Sequence, residues 1–270
     1  MCGICGFTGY RQDQKTVIER MMKAIEHRGP DSEGSFCREK ITLGFRRLSI
    51  IDLEDGQQPM ESADGNLHIV FNGEIYDYKE LRAELETFGI SFCTHSDTEV
   101  LVNTIQQYGE KALDKLRGMF GFAVWNEKEQ TLMLARDFFG IKPVYYAEID
   151  GHFVFASEIK SILAFPGYER KVNQKALEQY LSFQYAPLEE TFFKGIYKLM
   201  PGHMLLYKNG NYEIKTYFKT KLTPDKWNRK TNMDQLRSQL AEILKDSVKH
   251  HMLSDVEVGA FLSGGVDSGY

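Results

Sequence analysis

The strongest constraint on the fold is a succession of short, strand-like segments that the chain does not separate by regular helices. Through about residue 215, runs rich in β-branched and aromatic residues recur between Gly, Asn and Asp turns. The clearest are residues 4–8, 67–72, 119–126, 131–136, 144–148, 152–157 and 203–208. Helical periodicity intervenes at Val17, Met21, Met22 and Ile25, at Tyr78, Leu81, Leu85 and Phe88, and at Val100, Leu101, Thr104, Ile105 and Tyr108. Strands in series with few helices predict an α+β arrangement, sheets packed together and covered by helices, rather than a parallel sheet of βαβ units.

With 270 residues and 42% hydrophobic content, the chain can bury a core of one large domain or two modest ones. The formal charge of -5 offers no basic excess for nucleic acid, and no basic amphipathic run suits a membrane surface. No stretch reaches the roughly 20 apolar residues of a membrane-spanning helix. The N-terminus lacks the charged and apolar regions of a signal peptide. Four cysteines are too sparse for a disulfide scaffold, so a reducing, cytoplasmic compartment is expected.

The composition changes between Tyr217 and Met233, where the sequence becomes polar and loses its period. An amphipathic helix follows, with Leu236, Leu240, Ile243, Leu244, Val248 and Met252 at helical spacing. Val256, Val258, Ala260 and Leu262 alternate as a strand that runs into Ser263-Gly264-Gly265-Val266-Asp267-Ser268. The expected organisation is a domain over residues 2–218, a linker over 219–233 and the truncated start of an α/β domain over 234–270. A lone strand cannot satisfy its backbone groups, so a fragment or a lost second domain is expected.

Five motifs carry chemistry, each beside a plainer reading. Cys2 precedes a small Gly3, a context in which Met1 removal is expected. The freed α-amine, with a reference pKa near 7.7–8.0, would suit a general base on the nucleophile's own residue. The plainer reading makes Cys2-x-x-Cys5 half of a zinc site or a redox pair, although no second cysteine or histidine pair completes it. Asn72-Gly73 at the end of an apolar run reads as a hairpin turn, or as two oxyanion donors. Arg46 and Arg47 in a strand-like run read as a solvated face, or as one guanidinium gripping a carboxylate. Ser96-x-x-Glu99 reads as a capping box, and Asp97 either complements the helix dipole or receives an ammonium. The glycines and serines of residues 263–268 suit a phosphate-binding nest, without the Gly-Lys-Ser/Thr of a Walker loop.

Together these residues resemble the glutamine-hydrolysing asparagine synthetases. The matching stretches are Met1-Cys2-Gly3-Ile4, His27-Arg28-Gly29-Pro30-Asp31, Arg47-Leu48-Ser49-Ile50-Ile51-Asp52, Asn72-Gly73-Glu74-Ile75-Tyr76, Ser96-Asp97-Thr98-Glu99, Arg136-Asp137, Gly140-Ile141-Lys142-Pro143, Ala156-Ser157-Glu158-Ile159-Lys160, Pro201-Gly202 and the loop from Ser263 to Ser268. Each is weak alone; their order along essentially the whole chain is specific.

The resemblance implies an N-terminal-nucleophile fold, a four-layer αββα sandwich of antiparallel sheets, followed by the start of an α/β ATP-pyrophosphatase domain. It implies that Cys2 attacks the glutamine side-chain amide while Asn72 and Gly73 hold the oxyanion. It gives Arg47 the substrate carboxylate, with Leu48, Ser49, Ile50, Ile51, Glu74 and Asp97 completing the glutamine pocket. Leu262, Ser263, Gly264, Gly265, Asp267 and Ser268 would bind ATP. In a complete enzyme ATP and Mg2+ would support conversion of aspartate to asparagine with release of AMP and pyrophosphate. The glutaminase step itself implies no cofactor and no metal, and a homodimer stands among the expectations. Two alternatives remain: an amidotransferase of a related adenylating synthetase with another acceptor, and an inactive truncated binding module.

Overall fold

A computed structural model describes residues 1–50, 52, 55–221 and 232–269. Among the described residues, twelve strands form two six-stranded sheets. The first sheet contains β1 (Gly3–Thr8), β2 (Ser32–Cys37), β3 (Ile41–Arg47), β8 (Tyr145–Ile149), β9 (His152–Ala156) and β10 (Ile196–Lys198), in the order β10-β8-β9-β1-β3-β2. The second contains β4 (Met60–Glu61), β5 (Leu67–Ile75), β6 (Gly118–Asn126), β7 (Thr131–Arg136), β11 (His203–Lys208) and β12 (Asn211–Thr216), in the order β12-β11-β7-β6-β5-β4. All the pairings within both sheets are antiparallel.

Strand alternation assigns each side chain to a layer. Ile4, Leu43, Phe45, Val70, Ala123, Leu134 and Phe155 point between the sheets and form the central core. Cys5 and Phe7 point the other way, with Val17, Ile18, Met21 and Met22 of helix α1 (Gln14–Ala24) and Ile162 of α4 (Ile159–Ile162). Leu67, Ile69 and Phe71 pack against Leu81 and Leu85 of α2 (Tyr78–Thr87) and Val100, Leu101 and Ile105 of α3 (Asp97–Tyr108). Three apolar cores between four layers therefore make the αββα sandwich that the resemblance implies. Burying one large aliphatic or aromatic side chain contributes about 1.5–3 kcal/mol, so alternation fixes which faces meet.

The sequence differs from this architecture in instructive places. Asn72-Gly73 makes no hairpin: β5 continues to Ile75 because its register with β6 runs on to Gly118. Arg46 and Arg47 lie on no solvated face; both are buried. Phe88 lies just beyond α2 and is exposed rather than part of its buried face. Cys2 and Cys5, three residues apart in extended chain, point to opposite faces and form no pair.

Beyond Tyr217, most of the expected linker lies outside the described residues. Helix α5 (Gln174–Phe183) precedes β10, and α6 (Met233–His251) carries the expected late amphipathic pattern. Its apolar residues Leu240, Ile243, Leu244 and Val248 are exposed, as is Met252 just beyond it. Residues 256–262 form no strand, because no neighbouring strand supplies a ladder for their backbone groups. Asp267 and Ser268 fall within the short helix α7 (Val266–Gly269), and their side chains lie outside the description. Among the described residues, no helix is long and apolar enough to cross a membrane.

Candidate active site

The parity that builds the central core also builds the site. Cys2 shares the inward face of β1 with Ile4, Arg47 that of β3 with Phe45, and Asn72 and Glu74 that of β5 with Val70. All converge at one end of the space between the sheets, in a cavity of about 390 Å³. Its lining includes Cys2, Arg47, Leu48, Ile50, Asn72, Gly73, Glu74 and Asp97. A larger cavity of about 760 Å³ lies beside α3 and β11, but its lining includes neither cysteine nor histidine. The smaller one holds Cys2 beside the buried polar groups of Asn72, Arg47 and Asp97 and is the candidate for nucleophilic chemistry.

Cys2 Sγ lies 3.4 Å from the Leu48 backbone N–H and 3.5 Å from the Leu48 carbonyl. Burial pushes the thiol above its ordinary pKa, opposed by the Leu48 N–H, the nearby chain terminus and Arg47. A thiol so placed needs a base to become a nucleophile. In the intact chain the terminal amine belongs to Met1, an exposed residue, and burial of the amine lowers its pKa, with Arg28 and Lys142 adding to the effect. While Met1 remains, the Cys2 nitrogen is a peptide amide and accepts no proton.

Asn72 is almost fully buried. Its amide satisfies both neighbours when Nδ2 donates to the Cys2 carbonyl at 3.0 Å and Oδ1 accepts from Arg28 Nη2 at 3.3 Å. Gly73 is dictated by packing: an added Cβ would lie 2.2 Å from the Met119 carbonyl and 2.8 Å from Phe120 Cα. Arg47 bonds through Nη2 to the Asp52 carbonyl. Arg46, one residue away, faces the α1 side, donating to the Gly29 carbonyl at 3.1 Å and pairing with Glu26 and Glu33.

Asp97 opens α3 within the cavity. Burial, followed by the charge of Glu74, pushes its carboxyl up to about 7, against the Ile75 N–H that donates to it at 3.0 Å. Burial therefore outweighs the helix dipole that would favour its charge. The capping box forms only in part. Ser96 accepts from the Thr98 N–H, while Glu99 accepts from the Cys93 and Thr94 N–H groups instead of Ser96. Glu74 is also raised by burial, with Lys142 and His251 pulling the other way.

Of the expected glutamine-pocket residues, Ser49 does not line the cavity; its N–H donates to Asp31 at 2.8 Å. Ile51 lies outside the described residues. Three further residues have roles that the sequence reading left unassigned. Arg28 donates to the Cys2 carbonyl at 2.8 Å and to Glu158 at 2.9 Å, while also meeting Asn72. Gln58 accepts from the Phe71 N–H at 2.6 Å and donates to Thr98 at 3.1 Å, joining β5 to α3. Lys142 reaches the cavity from a loop held by Asp137, which accepts from the Phe139, Ile141 and Lys142 N–H groups. Arg136 holds the same loop through the Gly140 and Lys142 carbonyls. The signals were the His27-Arg28-Gly29-Pro30 and Gly140-Ile141-Lys142-Pro143 motifs, but neither spacing reveals what it touches.

At the far end, Gly264 has φ of +76°, and the Gly265 N–H donates to Ser263 Oγ at 3.4 Å. Leu262 is exposed.

Comparison with known proteins shows the family and the fold. Residues 1–218 match the model of a glutamine amidotransferase domain, and residues 239–270 match that of asparagine synthase. A protein of Bacillus subtilis (strain 168) named asparagine synthetase [glutamine-hydrolyzing] 1 is 45% identical over 276 residues, covering 99% of this chain and 43% of its own length. A second from the same organism, asparagine synthetase [glutamine-hydrolyzing] 2, is 40% identical and is covered over 38% of its length. The chain thus spans less than half of these relatives. The solved structure of glutamine phosphoribosylpyrophosphate amidotransferase from B. subtilis superposes with a TM-score of 0.61 at 20% identity, covering 81% of this chain and 50% of that one. At that identity the likeness speaks for the fold.

Proposed function

The chain belongs to the glutamine amidotransferase family, and on that premise we propose that residues 2–218 form a domain that hydrolyses glutamine with Cys2 as nucleophile. The observation that carries this reading is the meeting of Cys2, Asn72, Gly73, Arg47 and Asp97 around one cavity. After Met1 removal, the Cys2 α-amine takes the thiol proton and Sγ attacks the side-chain amide carbon. Asn72 Nδ2 and the Gly73 N–H hold the oxyanion. The amine returns the proton as ammonia leaves, and water then hydrolyses the thioester to glutamate. Arg47 grips the substrate carboxylate, while Asp97 and Glu74 receive its ammonium. Leu48 and Ile50 shape the pocket, and Ser49 acts from behind through Asp31.

The ammonia is intended for an ATP-dependent synthetase domain that begins near residue 234, after the linker. The loop fits a phosphate in kind: it is rich in glycine, Gly264 lies in the left-handed region, and Ser263 carries a hydroxyl. Leu262, Ser263, Gly264, Gly265, Asp267 and Ser268 would hold ATP with Mg2+, which would supply the activation for amide formation. In a full-length protein of this kind the acceptor is aspartate and the product asparagine. The cytoplasm, where thiols stay reduced, suits the free Cys2.

The test is glutamine hydrolysis by material whose mass proves loss of Met1. Cys2→Ala should abolish glutamate release while leaving the fold intact. Retained activity in that variant would end the proposal.

A further inference from the structure

The segment that follows α6 reaches back to the glutamine pocket. Asp255 accepts from the Asp52 N–H at 2.8 Å, and its own N–H donates to the Ile50 carbonyl at 3.1 Å. Nearby, Leu253 packs on the core beneath α2 and α3. His251 lies 4.6 Å ring-to-ring from Tyr76, and Arg117 bonds to Asp246 and, at 3.3 Å, to His250.

Asp52 is where these contacts matter. It has φ of +50°, the left-handed region that non-glycine residues seldom hold without support. Its carboxylate accepts from the His95 N–H at 2.8 Å and the Asp55 N–H at 3.2 Å. Its carbonyl accepts from the Gly56 N–H at 3.2 Å and from the Arg47 guanidinium. Asp255 grips the N–H of this same residue, one peptide from the carbonyl that orients Arg47.

We propose that Asp255 is a positioning residue for glutamine: by fixing Asp52 it sets the Arg47 guanidinium toward the substrate carboxylate, so the start of the second domain controls the affinity of the first. The inference rests on the glutaminase reading, in which Arg47 binds that carboxylate. Asp255 touches no reacting atom, so its loss weakens substrate binding and leaves the bond-breaking step alone.

The experiment compares the chain from Cys2 to Tyr270, its Met1 removed, with its Asp255→Ala and Asp255→Asn variants. Losing one charge-assisted hydrogen bond predicts about a fivefold rise in the glutamine KM of Asp255→Ala with kcat unchanged. Asp255→Asn keeps an acceptor oxygen and restores most of the affinity. A merely structural role would lower the active fraction and hence kcat, with KM unmoved; that result, or an unchanged KM, overturns the proposal. Glutamine Kd by calorimetry, with each Asp255 variant also carrying Cys2→Ala, gives the same comparison without turnover. If the parent binds but does not hydrolyse glutamine, the glutaminase reading fails, while the ratio of Kd values still decides the role of Asp255.

Discussion

Asp97→Asn separates what the pocket costs from what it does. Asp97 is buried, and its carboxyl is pushed up to about 7, first by burial and then by Glu74. In the unfolded chain its pKa returns to about 3.9. Between those values the folded state binds more protons than the unfolded state, so stability falls as pH rises. The penalty begins near pH 4, grows to about pH 7 and is constant above. The completed penalty is roughly 4 kcal/mol, and more than half of it accumulates between about pH 5 and about pH 8. Asn cannot ionise, and its side-chain oxygen can still accept from the Ile75 N–H. Urea denaturation of parent and variant at several pH values reads the difference. The variant gains on the parent by roughly 2–3 kcal/mol from about pH 5 to about pH 8, while its glutamine KM rises at least tenfold because the ammonium loses its counter-charge. A stability difference that does not change with pH would refute the reasoning, since it would mean that Asp97 is already ionised in the folded pocket at pH 5.

Two further substitutions test the frame around the nucleophile. Arg28→Lys replaces a planar fork that meets the Cys2 carbonyl, Glu158 and Asn72 with one flexible point charge; kcat should fall about tenfold or more with KM little changed, measured as initial rates of glutamate release. Gly73→Ala forces a Cβ against the Met119 carbonyl and the Phe120 backbone, which a side-chain adjustment cannot relieve; a loss of about 1–3 kcal/mol in denaturant stability, together with loss of activity, is expected.

The layers of the fold were legible where alternation is uninterrupted. Residues 131–136 and 203–208 appear as β7 and β11 with the expected bounds. Strands β2, β4, β10 and β12 were not visible beforehand, and they are the four edges of the two sheets. An edge strand is short or polar and is recruited by its neighbour, a contact far away in sequence. The interior strand β3 was obscured by Arg46 and Arg47, whose burial depends on Glu26, Glu33 and Asp52.

The same division holds for the site. Cys2, Arg47, Asn72 and Asp97 carry chemistry in their residue types, and strand parity could give each of the first three its face within its own strand. What spacing could not reveal is convergence. Arg28 and Lys142 arrive from connections whose paths are fixed by hydrogen bonds to Glu158, and to Arg136 and Asp137. The late strand failed for the opposite reason: residues 256–262 have the right pattern but no partner strand among the described residues. Pattern specifies which face would be buried, and a neighbour is needed to bury it.

In the proposed mechanism the amine of Cys2 itself is the base. This is tested most directly by measuring glutamine hydrolysis on two preparations of this chain that differ only in Met1, each verified by intact mass. The chain beginning at Cys2 should release glutamate, and the chain retaining Met1 should be slower by about 10²-fold or more, the usual contribution of a general base. Equal rates from the two preparations would contradict the account.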